Sequence, residues 1–161
     1  MTSTIRDILL EVFSILGGRI DSRKKIHKII HILKVNGFNV PVNYTFGLYG
    51  PYSYELDAML YMLLEDGIIT KEQRPEGITV YSLSRKVDVK TLQGKYAKLV
   101  VELGSFAPWE LEIISTVIYF NPSADINDCV NIVNSVKPNK FSEEDIKKTW
   151  LKYIELTSQI E

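Results

Sequence analysis

The chain has 161 residues, which is the length of one compact domain or of two small units that share a core. Hydrophobic residues make up 45% and charged residues 24% of the chain, and this composition excludes a disordered or collagen-like protein. The formal net charge of −1 excludes a globally electropositive chain, so any surface that attracts nucleic acid or an anionic membrane must be local.

The first half of the chain is predicted to begin with two amphipathic helices, over residues 4–16 and 22–35, because apolar residues recur there at spacings of three and four. Residues 43–49 alternate in side-chain character with a period of two, which predicts a short strand. We expect Pro51 to occupy the first position of a third helix that ends at Gly67, since its missing N–H needs no partner there.

A β-hairpin is predicted after the third helix, with strands over residues 68–72 and 77–83 and turn-forming residues between them. Three helices, a short strand and this hairpin are the layout of a winged-helix domain, which we assign to residues 1–86. In that layout the third helix takes the position of the recognition helix and the hairpin that of the wing. The connection over residues 36–52 is far longer than the turn of a tight helix-turn-helix.

The chain after residue 86 is predicted to be helical, with helices over residues 89–103, 108–120 and 125–136. The last helix is expected to follow Ser142 as N-cap, with Asp145 at its third position in a capping-box-like arrangement. Its inner face is expected to consist of Ile146, Trp150, Tyr153 and Ile154.

These elements together predict a mostly α fold with a small β-sheet. A winged-helix-like domain at residues 1–86 is followed by a helical C-terminal region, residues 87–161, that packs on it. Helical tails after winged-helix domains often dimerise, so a homodimer is one expected assembly.

Two motifs connect the chain with a known family: R-K-K-I-H-K at residues 23–28 and Y-G-P-Y-S-Y-E-L at residues 49–56. In these motifs the chain resembles the YwgA-like proteins of bacteria and archaea, which pair an R-K-K-x-x-K helix with a later Y-G-P-Y-S-x-E-L segment. It is more distantly similar to the Panacea domain of toxin–antitoxin modules. The resemblance covers about residues 17–70 and implies the layout above, but it implies no catalytic residue. His27 and His31 stand where the family tends to have Gln and Tyr.

The second helix presents basic residues at spacings of three and four on the side opposite its apolar residues. Such a stripe can lie along DNA phosphates, and the hairpin adds two further cations. We therefore expect DNA association through phosphate contacts, with specificity from DNA shape or from dimerisation. The residues expected to make these contacts are Arg23, Lys24, Lys28, Lys34, Lys71 and Arg74. The alternative is an ordinary solvated helix face.

The outward face of the third helix carries acidic and tyrosine side chains and has no Lys or Arg, which does not suit insertion into a major groove. Tyrosines among acids are more typical of a protein-binding face. The alternative function is therefore an antitoxin-like adaptor that binds a partner protein through Tyr54, Asp57, Tyr61 and Glu65. The same tyrosines could instead pack against the C-terminal helices.

Candidate catalytic and metal-binding residues are few. His27 and His31 have the i, i+4 spacing of a shared metal ligand pair, but neighbouring lysines repel a cation and no further ligand is apparent, so we expect no metal. Cys129 is expected to be a buried, inert thiol, and Glu110 and Glu112 are expected to favour a helix dipole. No nucleophile elbow or phosphate-binding glycine loop is present, so we expect a non-enzymatic protein without a cofactor.

The segment from Tyr49 to Ser53 has two readings. It is expected to reverse the strand into the third helix, while backbone N–H groups and the Ser53 hydroxyl give an alternative anion site. The single Cys129 and the lack of a secretory leader pattern lead us to expect a protein of the reducing cytoplasm. No apolar run reaches the roughly 18–20 residues of a membrane span, so no membrane association is expected.

Overall fold

The computed structural model describes residues 3–160, so the first two residues and the last residue of the two predicted regions lie outside it. Within this part the chain forms seven helices and five short strands. In chain order they are α1 (Ile5–Ile15), β1 (Arg19–Asp21), α2 (Arg23–Val35), β2 (Thr45–Gly47), β3 (Gly50–Tyr52), α3 (Tyr54–Glu65), β4 (Ile69–Gln73), β5 (Thr79–Leu83), α4 (Lys95–Gly104), α5 (Pro108–Phe120), α6 (Ile126–Val136) and α7 (Glu143–Ile160). The predicted mostly α fold with a small β-sheet is confirmed.

The strands form two small antiparallel sheets. In one, β5 lies between β1 and β4, and Tyr81 is paired with Ile20 on one side and with Lys71 on the other. The hairpin predicted after the third helix is therefore confirmed, and β1 adds a third strand that the sequence pattern did not indicate. Strand β1 is three residues long, too short to show a period of two.

The second sheet is a hairpin of β2 and β3, and it corrects the prediction for Pro51. This proline lies in β3, opposite Phe46, rather than at the first position of a helix. Each strand of a two-stranded sheet is an edge strand, which tolerates a residue without an N–H. Helix α3 instead begins at Tyr54, after Ser53 as N-cap, and the Ser53 hydroxyl accepts a hydrogen bond from the N–H of Leu56.

The start of α4 was predicted too early, because the chain before Lys95 is irregular although Leu92 is buried. Glu11 on α1 is 4% exposed, and its side chain binds the irregular segment before Lys95. Its carboxylate accepts hydrogen bonds from the Thr91 hydroxyl, at 2.6 Å, and from the Leu92 N–H, at 2.8 Å. The backbone donors of this segment therefore pair with a distant carboxylate rather than with a preceding turn of helix.

Helix α2 lies in the interior and packs against α5, α4, β1 and β3. Its apolar residues are buried as expected, but Lys28 is also only 2% exposed, His27 2% and His31 3%. The spacing of three and four placed Lys24, His27, Lys28 and His31 on one solvent-facing basic stripe, and this prediction is wrong for the last three of them. The buried apolar residues of both predicted regions form one cluster, because α2 is covered by the C-terminal helices.

The C-terminal helices largely follow their predictions. Ser142 caps α7, because its hydroxyl accepts a hydrogen bond from the N–H of Asp145. Cys129 on α6 is fully buried, and burial raises the pKa of its thiol to about 12. On α7 the prediction is wrong for Ile154, which is 44% exposed, while Leu156 is buried in its place. No helix within residues 3–160 combines the length and apolarity needed to cross a membrane.

Candidate functional site

Glu112 on α5 is a buried carboxylate that contacts Lys24 of the first motif. Its Oε1 atom is 2.7 Å from the Nζ atom of Lys24, and its Oε2 atom is 2.7 Å from that of Lys140 and 3.1 Å from that of Lys137. The Glu112 side chain is fully buried. Burial alone raises the pKa of Glu112, but the hydrogen bonds from the three lysines outweigh burial and hold the pKa below its usual value.

Lys28 lies beside this carboxylate and binds the β2–β3 hairpin. Its Nζ atom donates a hydrogen bond to the carbonyl oxygen of Pro51 at 2.8 Å. Burial lowers the pKa of Lys28 to about 7. The negative charge of Glu112 raises this pKa, and the positive charges of neighbouring lysines lower it further. A Cβ atom on Gly50 would lie 3.3 Å from the Thr116 Oγ1 atom and 3.4 Å from the Lys28 Nζ atom, at a φ of +100°. Glycine at this position therefore permits the close approach of hairpin and helix.

Arg23 and His27 connect the N-terminal half of α2 with Asp57 on α3. The Nε atom of Arg23 is 2.8 Å from the Oδ1 atom of Asp57, and the Nε2 atom of His27 is 3.4 Å from the same oxygen. Tyr52 stacks on the His27 ring at 4.7 Å and accepts a hydrogen bond from Arg23. Burial lowers the pKa of His27 to about 4, although Asp57 opposes this shift.

His31 has a separate environment one helical turn further along. Its Nδ1 atom is 2.6 Å from the Oγ atom of Ser115, and its ring packs against Tyr44. Burial lowers the pKa of His31 to about 3, and the charges of Lys28 and Lys34 add to this shift. The two histidines thus have different partners, and no group of three or more potential metal ligands occurs within residues 3–160.

An open cavity of about 340 Å³ lies between α2 and the hairpin, and we call it the α2–hairpin cavity. The residues that line it are Arg23, Lys24, His27, Lys28, Tyr49 and Tyr52. Tyr49 lies in the turn of the hairpin and is 59% exposed. The Nζ atoms of Lys24 and Lys140 lie 5.1 and 5.2 Å from the centre of its ring. The cavity therefore combines cationic and aromatic side chains.

The residues expected to contact DNA are distributed over different environments. Arg23, Lys24 and Lys28 belong to the cluster around the α2–hairpin cavity, whereas Lys34 donates to the carbonyl oxygen of Val40 at 2.7 Å. Lys71 is exposed on β4, and Arg74, which follows that strand, is partly exposed.

Helix α3 presents most of its predicted outward face to solvent. Tyr54 is 71% exposed and Tyr61 63%, so the reading in which they pack against the C-terminal helices is wrong. Met62 is 54% exposed, and Glu65 is exposed as well. Asp57 is the exception, because it faces the basic residues of α2.

The sequence pattern assigned Glu112 to the helix dipole and did not indicate its ion pairs with Lys137 and Lys140. Glu110 does support the start of α5, since its carboxylate accepts from the N–H of Ala107, but Glu112 is buried among lysines instead. The available signal was an acid within a long apolar run, because a carboxylate in such a run is buried only when charged groups are near it.

Comparison with known proteins finds a similarity over nearly the whole chain. No family model matches the chain. The chain is similar to uncharacterized protein YwgA of Bacillus subtilis (strain 168), with 29% identity over 164 residues that cover 94% of this chain and 95% of the relative. The similarity extends beyond the motifs to nearly the whole length of both chains, which supports a YwgA-like relationship.

Proposed function

We propose that the chain is a non-enzymatic regulatory module that binds a partner protein through α3. The observation that carries this proposal is the exposure of large apolar side chains on one helix. Tyr54, Tyr61 and Met62 are 71%, 63% and 54% exposed, and helical geometry places them on the same side as Glu65. We call these four residues the α3 surface. Rigid aromatic rings provide contact area at a low cost in conformational entropy, and they are frequent at the centres of protein interfaces.

The charge of α3 indicates the chemistry of the partner. Glu55, Asp57 and Glu65 lie on the helix and Asp66 caps its end, while no Lys or Arg occurs between Tyr54 and Asp66. A basic protein surface complements this charge and would be steered towards it at low salt. The partner that we propose is therefore a protein with a basic, partly apolar binding face.

The order of the elements supports a finer assignment as a winged-helix-like adaptor. Strand β1 lies between α1 and α2, and the β4–β5 hairpin directly follows α3. Helix α3 then has the position of a recognition helix, with acids and tyrosines where a DNA reader carries basic side chains. The resemblance to the Panacea domain agrees with an adaptor that recognises proteins.

Replacement of both Tyr54 and Tyr61 by alanine is expected to reduce recovery of the bound partner at least about tenfold, because each ring is a candidate hot spot. The test is affinity capture from the source cells followed by mass spectrometry. The control is Leu151→Ala on α7, which removes a side chain that is 56% exposed and lies outside the α3 surface. We expect a basic partner that is lost with the double variant and with added salt and is kept by the control. A partner that persists on the double variant would exclude the α3 surface.

DNA association through the β4–β5 hairpin is a second candidate function. It is favoured by exposed Lys71 and by partly exposed Arg74. These cations would make weak phosphate contacts that do not depend on DNA sequence.

Fluorescence anisotropy with a random DNA duplex tests this second function. Binding is expected to weaken with salt with a log–log slope of about −0.9 for each phosphate contact. Lys71→Glu combined with Arg74→Glu should abolish it, while Lys147→Glu, which changes an exposed lysine of α7, should reduce it far less. No binding at low salt, or equal losses in the two variants, would reject this function.

A further inference from the structure

The lysine cluster around Glu112 contains more positive than negative charge. Lys24, Lys137 and Lys140 all contact this one carboxylate. The charges of Glu112 and of these three lysines also act on Lys28. Arg23 does not change the balance, because Asp57 pairs with it. With Lys28 neutral, at least two of the cluster's positive charges have no carboxylate partner in the residues that the structure describes.

Lys137 is buried, whereas the side chains of Lys24 and Lys140 are 28% and 37% exposed, so an anion from solvent can reach this excess of positive charge. Lys24 brings part of this excess charge to the wall of the α2–hairpin cavity, and Lys28 adds a second amino group to the same wall. Ammonium groups bind phosphate oxygens as compact point charges with several donors. The cavity is therefore suited to a phosphate group.

The cavity is also larger than a phosphate group requires. Its volume of about 340 Å³ lies at the lower end of the roughly 300–1,000 Å³ of small-molecule sites. Two tyrosine rings, Tyr49 and Tyr52, contribute to its walls beside the cationic residues. Tyr52 is stacked on His27, whereas Tyr49 is 59% exposed and contacts lysine ammonium groups through its ring. An exposed ring beside cations suits a ligand that carries a planar ring and a phosphate.

We propose that the α2–hairpin cavity binds a nucleoside monophosphate, with its phosphate on Lys24 and Lys28 and its base against Tyr49. Glu112 acts as a positioning residue, because its ion pairs hold Lys24 and Lys140 near the ring of Tyr49. The residues of this site differ from those of the α3 surface, so the two proposals fail independently. Such a ligand would bridge α2 and the hairpin that precedes α3.

Equilibrium dialysis of the full chain against AMP, GMP, CMP and UMP tests the proposal, with adenosine and inorganic phosphate as half-ligands. At least one monophosphate is expected to bind about tenfold or more tightly than either half-ligand, since only the complete nucleotide uses both the cations and the ring. No binding of any monophosphate at millimolar concentration would overturn the proposal. So would inorganic phosphate that binds as tightly as the nucleotides. Tighter binding of a single-stranded oligonucleotide than of every monophosphate would overturn the assignment to a small molecule.

Two pairs of variants locate the site. Tyr49→Ala is expected to weaken nucleotide binding about tenfold, whereas Leu48→Ala, at the neighbouring 82% exposed position of the same turn, should leave it unchanged. Lys24→Gln is expected to weaken it by a similar factor, while Lys147→Gln on the surface of α7 should have no effect. Both turn residues are exposed, so these two variants are expected to fold. Equal affinities for Tyr49→Ala and Leu48→Ala would overturn the proposal even if nucleotide binds.

Discussion

Replacement of Glu112 by glutamine is expected to lower the free energy of unfolding by about 3 kcal/mol, because it removes a buried carboxylate that pairs with three ammonium groups, of which that of Lys137 is itself buried. The side chain is fully buried and lies within 3.1 Å of the Nζ atoms of Lys24, Lys137 and Lys140. Glutamine keeps the volume of the side chain, so the loss reports charge rather than packing. Urea denaturation of the wild-type and variant chains at pH 7 measures it.

The matched control for this prediction is Glu143→Gln, which removes an exposed carboxylate that pairs with Lys147 at 3.0 Å on α7. Exposed ion pairs of this kind contribute about 0–1 kcal/mol, so the control should change stability little. The Glu112→Gln chain should also gain stability more steeply than the wild type between pH 7 and pH 9. In that range Lys28 and Lys137, whose pKa values are lowered by burial, lose protons in the folded chain before they do in the unfolded chain. A loss for Glu112→Gln as small as that of Glu143→Gln would show that the lysines do not depend on this carboxylate.

The helix boundaries that were predicted well depend on local signals. Thr4 and Ser142 cap α1 and α7 through hydrogen bonds three residues along the chain, and Pro108 begins α5 as its position suggested. The elements that were missed depend on distant partners. Strand β1 forms because it pairs with β5. Helix α4 begins later than predicted because the N–H of Leu92 donates a hydrogen bond to Glu11. Periodicity within a window of residues carries no information about such partners.

The residues of the α2–hairpin cavity could be predicted only in part, again because some of their contacts join distant parts of the chain. The motif at residues 23–28 does contribute to the candidate site. A polar stripe on a helix, however, has the same sequence pattern whether it faces water or a buried carboxylate. Lys24 contacts Glu112 across 88 residues of chain, so only the folded structure brings them together. The exposure of Tyr54 and Tyr61 agreed with the helical pattern because α3 has a single buried side.

Acidification from pH 7 to pH 5 is expected to lower the free energy of unfolding by about 3–4 kcal/mol through the two histidines. Burial lowers the pKa of His27 from 6.5 to about 4 and that of His31 from 6.5 to about 3. Below pH 6.5 the unfolded chain therefore binds protons that the folded chain excludes. Stability is present in full above this pH and is lost progressively as the pH falls towards 4.

Urea denaturation at pH 7, 6 and 5 measures this dependence, and substitution of the histidines identifies its source. The chain has two histidines, so the double variant His27→Gln/His31→Gln removes both titrations, and its stability should be nearly constant between pH 7 and pH 5. His31→Gln alone should remove about half of the dependence. Each variant is compared with itself across pH, so any loss from the contact between His31 and Ser115 cancels. A double variant that keeps the wild-type slope would assign the acid sensitivity to other groups, because no histidine would remain to titrate.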